Sequence, residues 1–192
     1  MDKIGLVTIT YNSENVLASF LKCVWAQTYT NFLLYVIDND SHESTLSILE
    51  NEKDSRLKII KNNKNLGVAK ANNQGIKRAI TDGCNQILII NNDVEFEETL
   101  ITKLLKVQRE ENCSLVSPKM MFYDNKNLIW YAGSWFDKCK GYLPLHRGMK
   151  RIDEGQFNEI VKVEYAPTCC LLIKKQVFKD VGFMDEKYFI YF

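Results

Sequence analysis

Three short polar clusters hold most of the chemical potential of this chain: Thr10-Tyr11-Asn12, Asp38-Asn39-Asp40-Ser41 and Asn91-Asn92-Asp93. Each closes an apolar, β-branched run, so each is placed where a buried strand ends. In an open α/β sheet, ligands bind beyond the carboxyl ends of the strands. Carboxylates, amides and hydroxyls from three such turns would then meet on one rim. A single Asx-rich loop is ordinary turn chemistry, and three at successive strand ends are harder to explain that way. Asp93, directly after a strand, is suited to a hard divalent cation.

The residues that are missing narrow the chemistry. A dinucleotide-binding turn needs G-x-G-x-x-G after the first strand, and Thr10-Tyr11-Asn12-Ser13-Glu14 contains no glycine. No G-x-x-x-x-G-K-[ST] phosphate loop occurs either, so a diphosphate ligand would need a metal ion to neutralise it. The six cysteines form no C-x-x-C pair, and His42 and His146 are isolated. Reduced thiols in a cytosolic protein fit this pattern better than zinc or a disulfide framework. A formal net charge of +1 argues against a nucleic-acid binder. No apolar stretch reaches the ~18 residues of a spanning helix, and Ile4-Gly5-Leu6-Val7 reads as a buried strand rather than a signal peptide.

The elements that would position these clusters alternate. Strands are expected at Ile4–Thr10, Phe32–Ile37, Leu57–Ile60, Gln86–Ile90 and Leu115–Ser117. Helices are expected from about Asn12 to Gln27, around Leu46–Leu49, from Gly67 to about Ala79, from about Glu97 to Glu111, and around Lys175–Val181. Strands separated by helices imply right-handed crossovers and a mainly parallel sheet covered on both faces. After Pro118 the pattern becomes mixed, with β-like runs at Leu128–Trp135, Ile160–Glu164 and Cys169–Ile173. The 192 residues fit one domain, divided into a ligand-binding half over 1–118 and a mixed half over 119–192.

Taken together, these residues resemble the family 2 glycosyltransferases. The match runs through Val7-Thr8-Ile9-Thr10-Tyr11-Asn12, Val36-Ile37-Asp38-Asn39-Asp40-Ser41, Asn65-Leu66-Gly67 with Asn72-Asn73-Gln74-Gly75-Ile76, and Leu88-Ile89-Ile90-Asn91-Asn92-Asp93. Tyr165 to Lys175 and Val181 to Glu186 extend it, and it looks most like the rhamnosyltransferase-type branch. The resemblance implies the α/β GT-A fold, with a Rossmann-like, mainly parallel sheet and a mixed C-terminal part. It also implies a nucleotide-diphosphate-sugar donor (a UDP- or dTDP-sugar), Mg²⁺ or Mn²⁺, and inversion at the anomeric carbon. A glycan or lipid-linked acceptor in surface polysaccharide synthesis would complete the reaction, at a cytoplasmic location on the inner face of the membrane.

By this resemblance Asp38 reads the nucleobase, a role open to a carboxylate that accepts from an imide N–H. Thr10, Tyr11 and Asn12 pack beside the base with Asn39, and Asn65, Gly67 and Asn73 close over the nucleoside. Asn91-Asn92-Asp93 takes the place of the D-x-D element, with Asn92 near the nucleotide and Asp93 as the only carboxylate for metal. The general base of this branch is an acidic pair after a motif like Phe-x-x-Tyr-Phe. Here Phe189-Ile190-Tyr191-Phe192 is that approach, and the chain is expected to be incomplete beyond it, leaving Asp185 and Glu186 as the nearest carboxylates. Asp185 is the candidate base within the chain, and a locally capped turn is the alternative.

Two other features stay open at this level. The aromatic middle, from Phe122 to Tyr142, fits an acceptor-stacking surface or a core. Lys138, Lys140, His146, Arg147, Lys150 and Arg151 form a basic stretch that fits an anionic lipid carrier with peripheral membrane association, the donor diphosphate, or a solvated loop. Two alternative functions differ from sugar transfer. A sugar-1-phosphate nucleotidyltransferase would want a Gly-rich basic loop in place of Thr10–Glu14, and a nucleotide- or glycan-binding module would lack catalysis.

Overall fold

The computed structural model describes residues 2–190, so Tyr191 and Phe192, half of the expected Phe-x-x-Tyr-Phe-like approach, lie outside the described residues. The described residues separate into two compact units, one built from residues 2–116 and 172–190, the other from 117–171. This division differs from halves meeting at 118/119, because the C-terminal segment packs with the first unit.

In the first unit, β1 (Ile4–Thr10), β2 (Phe32–Asp38), β3 (Leu57–Lys61) and β4 (Gln86–Ile90) alternate with α1 (Leu17–Trp25), α2 (Glu43–Asn51) and α3 (Val68–Thr81). α4 (Leu100–Glu110), β5 (Leu115–Val116), β10 (Cys170–Lys174) and α5 (Lys175–Asp180) complete it. The sheet order is β3-β2-β1-β4-β10-β5. β1 lies parallel to β2 and β4, β2 lies parallel to β3, and β5 runs antiparallel to β10. The fully buried run Gln86–Ile90 is what a strand covered on both faces requires. α1 begins later than expected, at Leu17, because Asn12 to Val16 form turns.

α3 packs very closely on the sheet. A Cβ at Gly75 would lie 2.5 Å from both Ile37 Cδ1 and Val7 Cγ1. Gly75→Ala is therefore expected to destabilise the protein by about 1–3 kcal/mol through overpacking, which outweighs the roughly 1 kcal/mol that Ala gains over Gly in a helix. Urea denaturation checks this; a variant as stable as the parent would contradict the packing.

In the second unit, β6 (Met120–Met121) pairs with β7 (Ile129–Tyr131), and β8 (Ser134–Asp137) forms a hairpin with β9 (Leu143–His146). The expected run Leu128–Trp135 is thus split, at Gly133 with φ 116°. Ile160–Glu164 is not a strand: its backbone bonds to Ser134 from one end only. Trp130, Tyr131, Phe136, His146 and Tyr165 pack edge-on or tilted at 5.8–6.3 Å, which commits those rings to a local core. Burial pushes the Tyr131 phenol up to about 12, and as a neutral hydroxyl it donates to the Tyr165 carbonyl at 2.8 Å.

The aromatic run after Gly182 is also not a strand among the described residues; it forms turns and bends. Phe183 stacks on Phe178 at 5.6 Å, whereas Phe189 and Ile190 remain about half exposed.

Candidate functional site

β1 and β2 end side by side, with Thr10 paired to Asp38 in the parallel register. Both side chains are buried, at 0% and 2% exposure. Asp38 Oδ2 accepts the Ser41 N–H at 3.3 Å, while Asp38 Oδ1 and Thr10 Oγ1 are buried without a hydrogen-bond partner among the described residues. Buried polar atoms are almost always satisfied, and an orphan one calls for an explanation such as a ligand.

The loops around this pair are held by their own polar groups. Asn12 and Asp40 adopt positive φ, at 53° and 72°, a region that Asn and Asp enter more readily than other side chains. Asn12 N–H donates to Ser41 Oγ at 3.0 Å, and Asn12 Oδ1 accepts the His42 N–H at 2.9 Å. Asn12 therefore fastens the β1 turn to the start of α2. Tyr11 stays 51% exposed on the rim, with its ring available to a ligand.

Asn39 works inward. Its Nδ2 donates to Asn65 Oδ1 at 3.1 Å and to the Gly67 carbonyl at 3.4 Å, and its Oδ1 accepts from Asn62 Nδ2 at 2.9 Å. Asn62 and Gln74 exchange amide hydrogen bonds at 2.9 Å, and Asn65 Oδ1 also accepts the Gly67 N–H. Asn39 and Asn65 thus fix the 62–67 loop against α3. Sequence reasoning missed Asn62 and gave Gln74, quoted within the matching segment, no role of its own; the only signal was the density of amide residues between 62 and 74.

Gly67 opens α3 at φ 80°, and a Cβ there would meet the Phe189 carbonyl oxygen at 2.5 Å. That carbonyl accepts the Val68 N–H at 2.6 Å, which satisfies one of the free donors of the helix start. Asn73, expected near the nucleoside, is 1% exposed and turned to the C-terminal segment. Its Nδ2 donates to the Met184 carbonyl at 2.8 Å and Glu186 Oε1 at 3.1 Å, and its Oδ1 accepts the Met184 N–H.

The two C-terminal carboxylates are engaged locally. Glu186 also lies 4.0 Å from Lys70 and 3.7 Å from Lys77. Asp185 Oδ1 accepts the Lys187 N–H at 3.0 Å, and its carbonyl accepts from Tyr188, so Asp185 closes a turn.

After β4, Asn92 is 9% exposed, with Nδ2 lacking a partner among the described residues, and Asp93 is exposed. Among the described residues no three of His, Cys, Asp and Glu converge on a metal-sized point. One exposed carboxylate fits an ion carried mostly by ligand phosphates and water, as Mg²⁺ often is, and does not fit a resident metal.

Known proteins resemble this chain over most of its length. A curated relative, the low-salt glycan biosynthesis hexosyltransferase Agl10 of Haloferax volcanii, is 22% identical over 100% of this chain and 59% of its own length. The dTDP-rhamnosyl transferase RfbF of Shigella flexneri is 27% identical over 96% of this chain and 58% of its own. This chain thus spans under two thirds of the length of either. The crystal structure of S. aureus TarS 1-349 in complex with UDP superposes with a TM-score of 0.69 at 18% identity, over 97% of this chain and 51% of that one, which places the fold with the GT-A glycosyltransferases. The model of glycosyl transferase family 2 matches residues 6–182, and this chain belongs to that family.

Proposed function

We infer that the chain binds a nucleotide-diphosphate sugar, with UDP- and dTDP-sugars favoured. The enzyme would move that sugar, with inversion, to a glycan or lipid-linked acceptor in surface polysaccharide synthesis. The observation that carries this is the buried, unpartnered Asp38 Oδ1 at the end of β2, beside the unpartnered Thr10 Oγ1. An imide N–H of uracil or thymine would satisfy that oxygen. Tyr11 would cover the base, Asn12, Asn39 and Asn65 shape the loops, and Gly67 and Asn73 hold the far wall. Asn92 Nδ2 supplies a further donor. Asp93 would hold Mg²⁺ or Mn²⁺ on the diphosphate, where the ion would offset the leaving group's charge. The names of RfbF and of the UDP complex of TarS fit these two nucleobases.

In the transfer, the acceptor oxygen bonds to the anomeric carbon as the bond to the diphosphate oxygen breaks. A base takes the hydroxyl proton. The turn bond at Asp185 and the Lys70, Lys77 and Asn73 contacts of Glu186 favour a chain that, isolated, binds donor and transfers sugar poorly. They equally support the second reading, a binding module without catalysis.

Thermal melting with UDP, dTDP, GDP and CDP, with and without Mn²⁺, tests the donor. UDP and dTDP are expected to raise Tm most, and more with the metal; no shift with any nucleotide would refute the site. For transfer, robust turnover by this chain that disappears in Asp185→Asn would make Asp185 the base and overturn the poor-transfer expectation.

A further inference from the structure

The β8–β9 hairpin carries an unusual surface at its tip. The tip and the start of β9, residues 138–145, contain Lys138 and Lys140 and no Asp or Glu, in a chain of net charge +1, while Arg147, Lys150 and Arg151 follow β9 at the other end of the hairpin, where the Lys150 N–H donates to the Ile129 carbonyl. Arg147 is turned inward, with its side chain 18% exposed and its guanidinium 5.0 Å over the Phe157 ring. The other four cations are exposed. The carboxylate of Asp137 at the base of the tip accepts from Cys139 N–H and lies 3.8 Å from Lys140.

Interleaved with these charges are large apolar groups in water. Tyr142, Leu143 and Leu145 are 63%, 58% and 48% exposed. Leu143 and Leu145 are two residues apart on β9, so they share one face of the hairpin, where the register sets Leu145 opposite the half-buried Trp135. Scattered exposed apolar residues are normal, but a contiguous patch rimmed by charge marks an interaction surface.

The mixture selects the partner. A nucleic acid would use the cations and leave two leucines and a tyrosine in water. An anionic bilayer takes both kinds of group, with Lys and Arg at the headgroups, apolar side chains at the acyl boundary, and Tyr at the interface between them. We propose that the tip of the β8–β9 hairpin docks the protein peripherally on an anionic lipid surface. This goes beyond the transferase reading and does not depend on the nucleotide site.

Co-sedimentation with vesicles of phosphatidylcholine, alone or mixed with phosphatidylglycerol, tests the proposal on the full chain. Binding is expected only with phosphatidylglycerol, weakening as salt rises. Lys138→Glu with Lys140→Glu should weaken it more than tenfold, at about fivefold for each cation lost near an anionic surface. Leu143→Ser with Tyr142→Ser should weaken it while leaving its salt dependence intact. All four positions are exposed, and far-UV circular dichroism with the thermal midpoint verifies that the variants fold. Independently, an environment-sensitive fluorophore on the exposed Cys139 should shift to the blue with anionic vesicles. Absence of lipid-dependent binding, binding insensitive to both variants, an unresponsive Cys139 probe on bound protein, or retention on linear DNA without vesicle binding would each overturn it.

Discussion

Asp93→Ala is expected to lower metal-dependent donor affinity by more than about 100-fold, beyond the 10–100-fold typical of losing a supporting group around a metal. The size follows from the composition of the β4 turn. Asn91 and Asn92 offer neutral amides, so Asp93 is the only carboxylate of that turn, and no cluster of three metal-binding side chains backs it up among the described residues. A site with two carboxylates would lose part of its affinity on losing one; the β4 turn would keep only neutral groups, leaving the ion to the donor phosphates and water. Calorimetry with UDP should show Mn²⁺ strengthening binding to the parent and not to the variant, and with a chelator present the two should bind alike. Equal Mn²⁺-dependent affinities would remove Asp93 from the site. Because Asp93 is exposed, the substitution should leave stability within about 0.5 kcal/mol, which separates loss of ligand from loss of fold.

How much of this was legible in the sequence divides along sequence distance. β1 and β4 were readable to the residue, because near-continuous apolar runs such as Ile87–Ile90 are what a strand buried on both faces of a sheet requires. The polar rim was readable for the same reason, since Asp38 and Asn91 sit where those runs stop. What was not readable depends on partners far along the chain. β10 enters the sheet between β4 and β5, and nothing in Cys170–Lys174 announces that neighbour. Asn73 reaches Met184 and Glu186, 111 and 113 residues away, so a residue that matched a nucleoside-closing segment is spent on holding the C-terminal run. Asn39 and Asp38 are adjacent and both buried, yet one is fully bonded within the protein and the other keeps a free oxygen. Side-chain direction decided that difference, and composition does not encode it.

The free oxygen of Asp38 yields the second large effect, and it has an unusual sign. In the unliganded protein, Oδ1 is buried without a partner among the described residues, a state that costs about 1–3 kcal/mol or more for a charged group. Asp38→Asn keeps the shape and an oxygen able to accept the Ser41 N–H, and it removes the charge that lacks a partner. The unliganded variant is therefore expected to melt at the same temperature as the parent or higher. Nucleotide binding should move in the opposite direction. A hydrogen bond to a charged acceptor contributes roughly 1.5–3 kcal/mol, so UDP or dTDP affinity should fall about 10- to 150-fold. That loss should persist in the presence of a chelator, because the nucleobase end of the ligand does not depend on the ion at its phosphates. Thermal melting and calorimetry on one variant separate the alternatives. A fall in both stability and affinity would make Asp38 a structural residue of the β2 turn, and unchanged affinity would remove it from the site. Stability maintained while affinity collapses is the signature of a residue kept for its ligand, in which part of the folding free energy is given up to leave one oxygen unpaired.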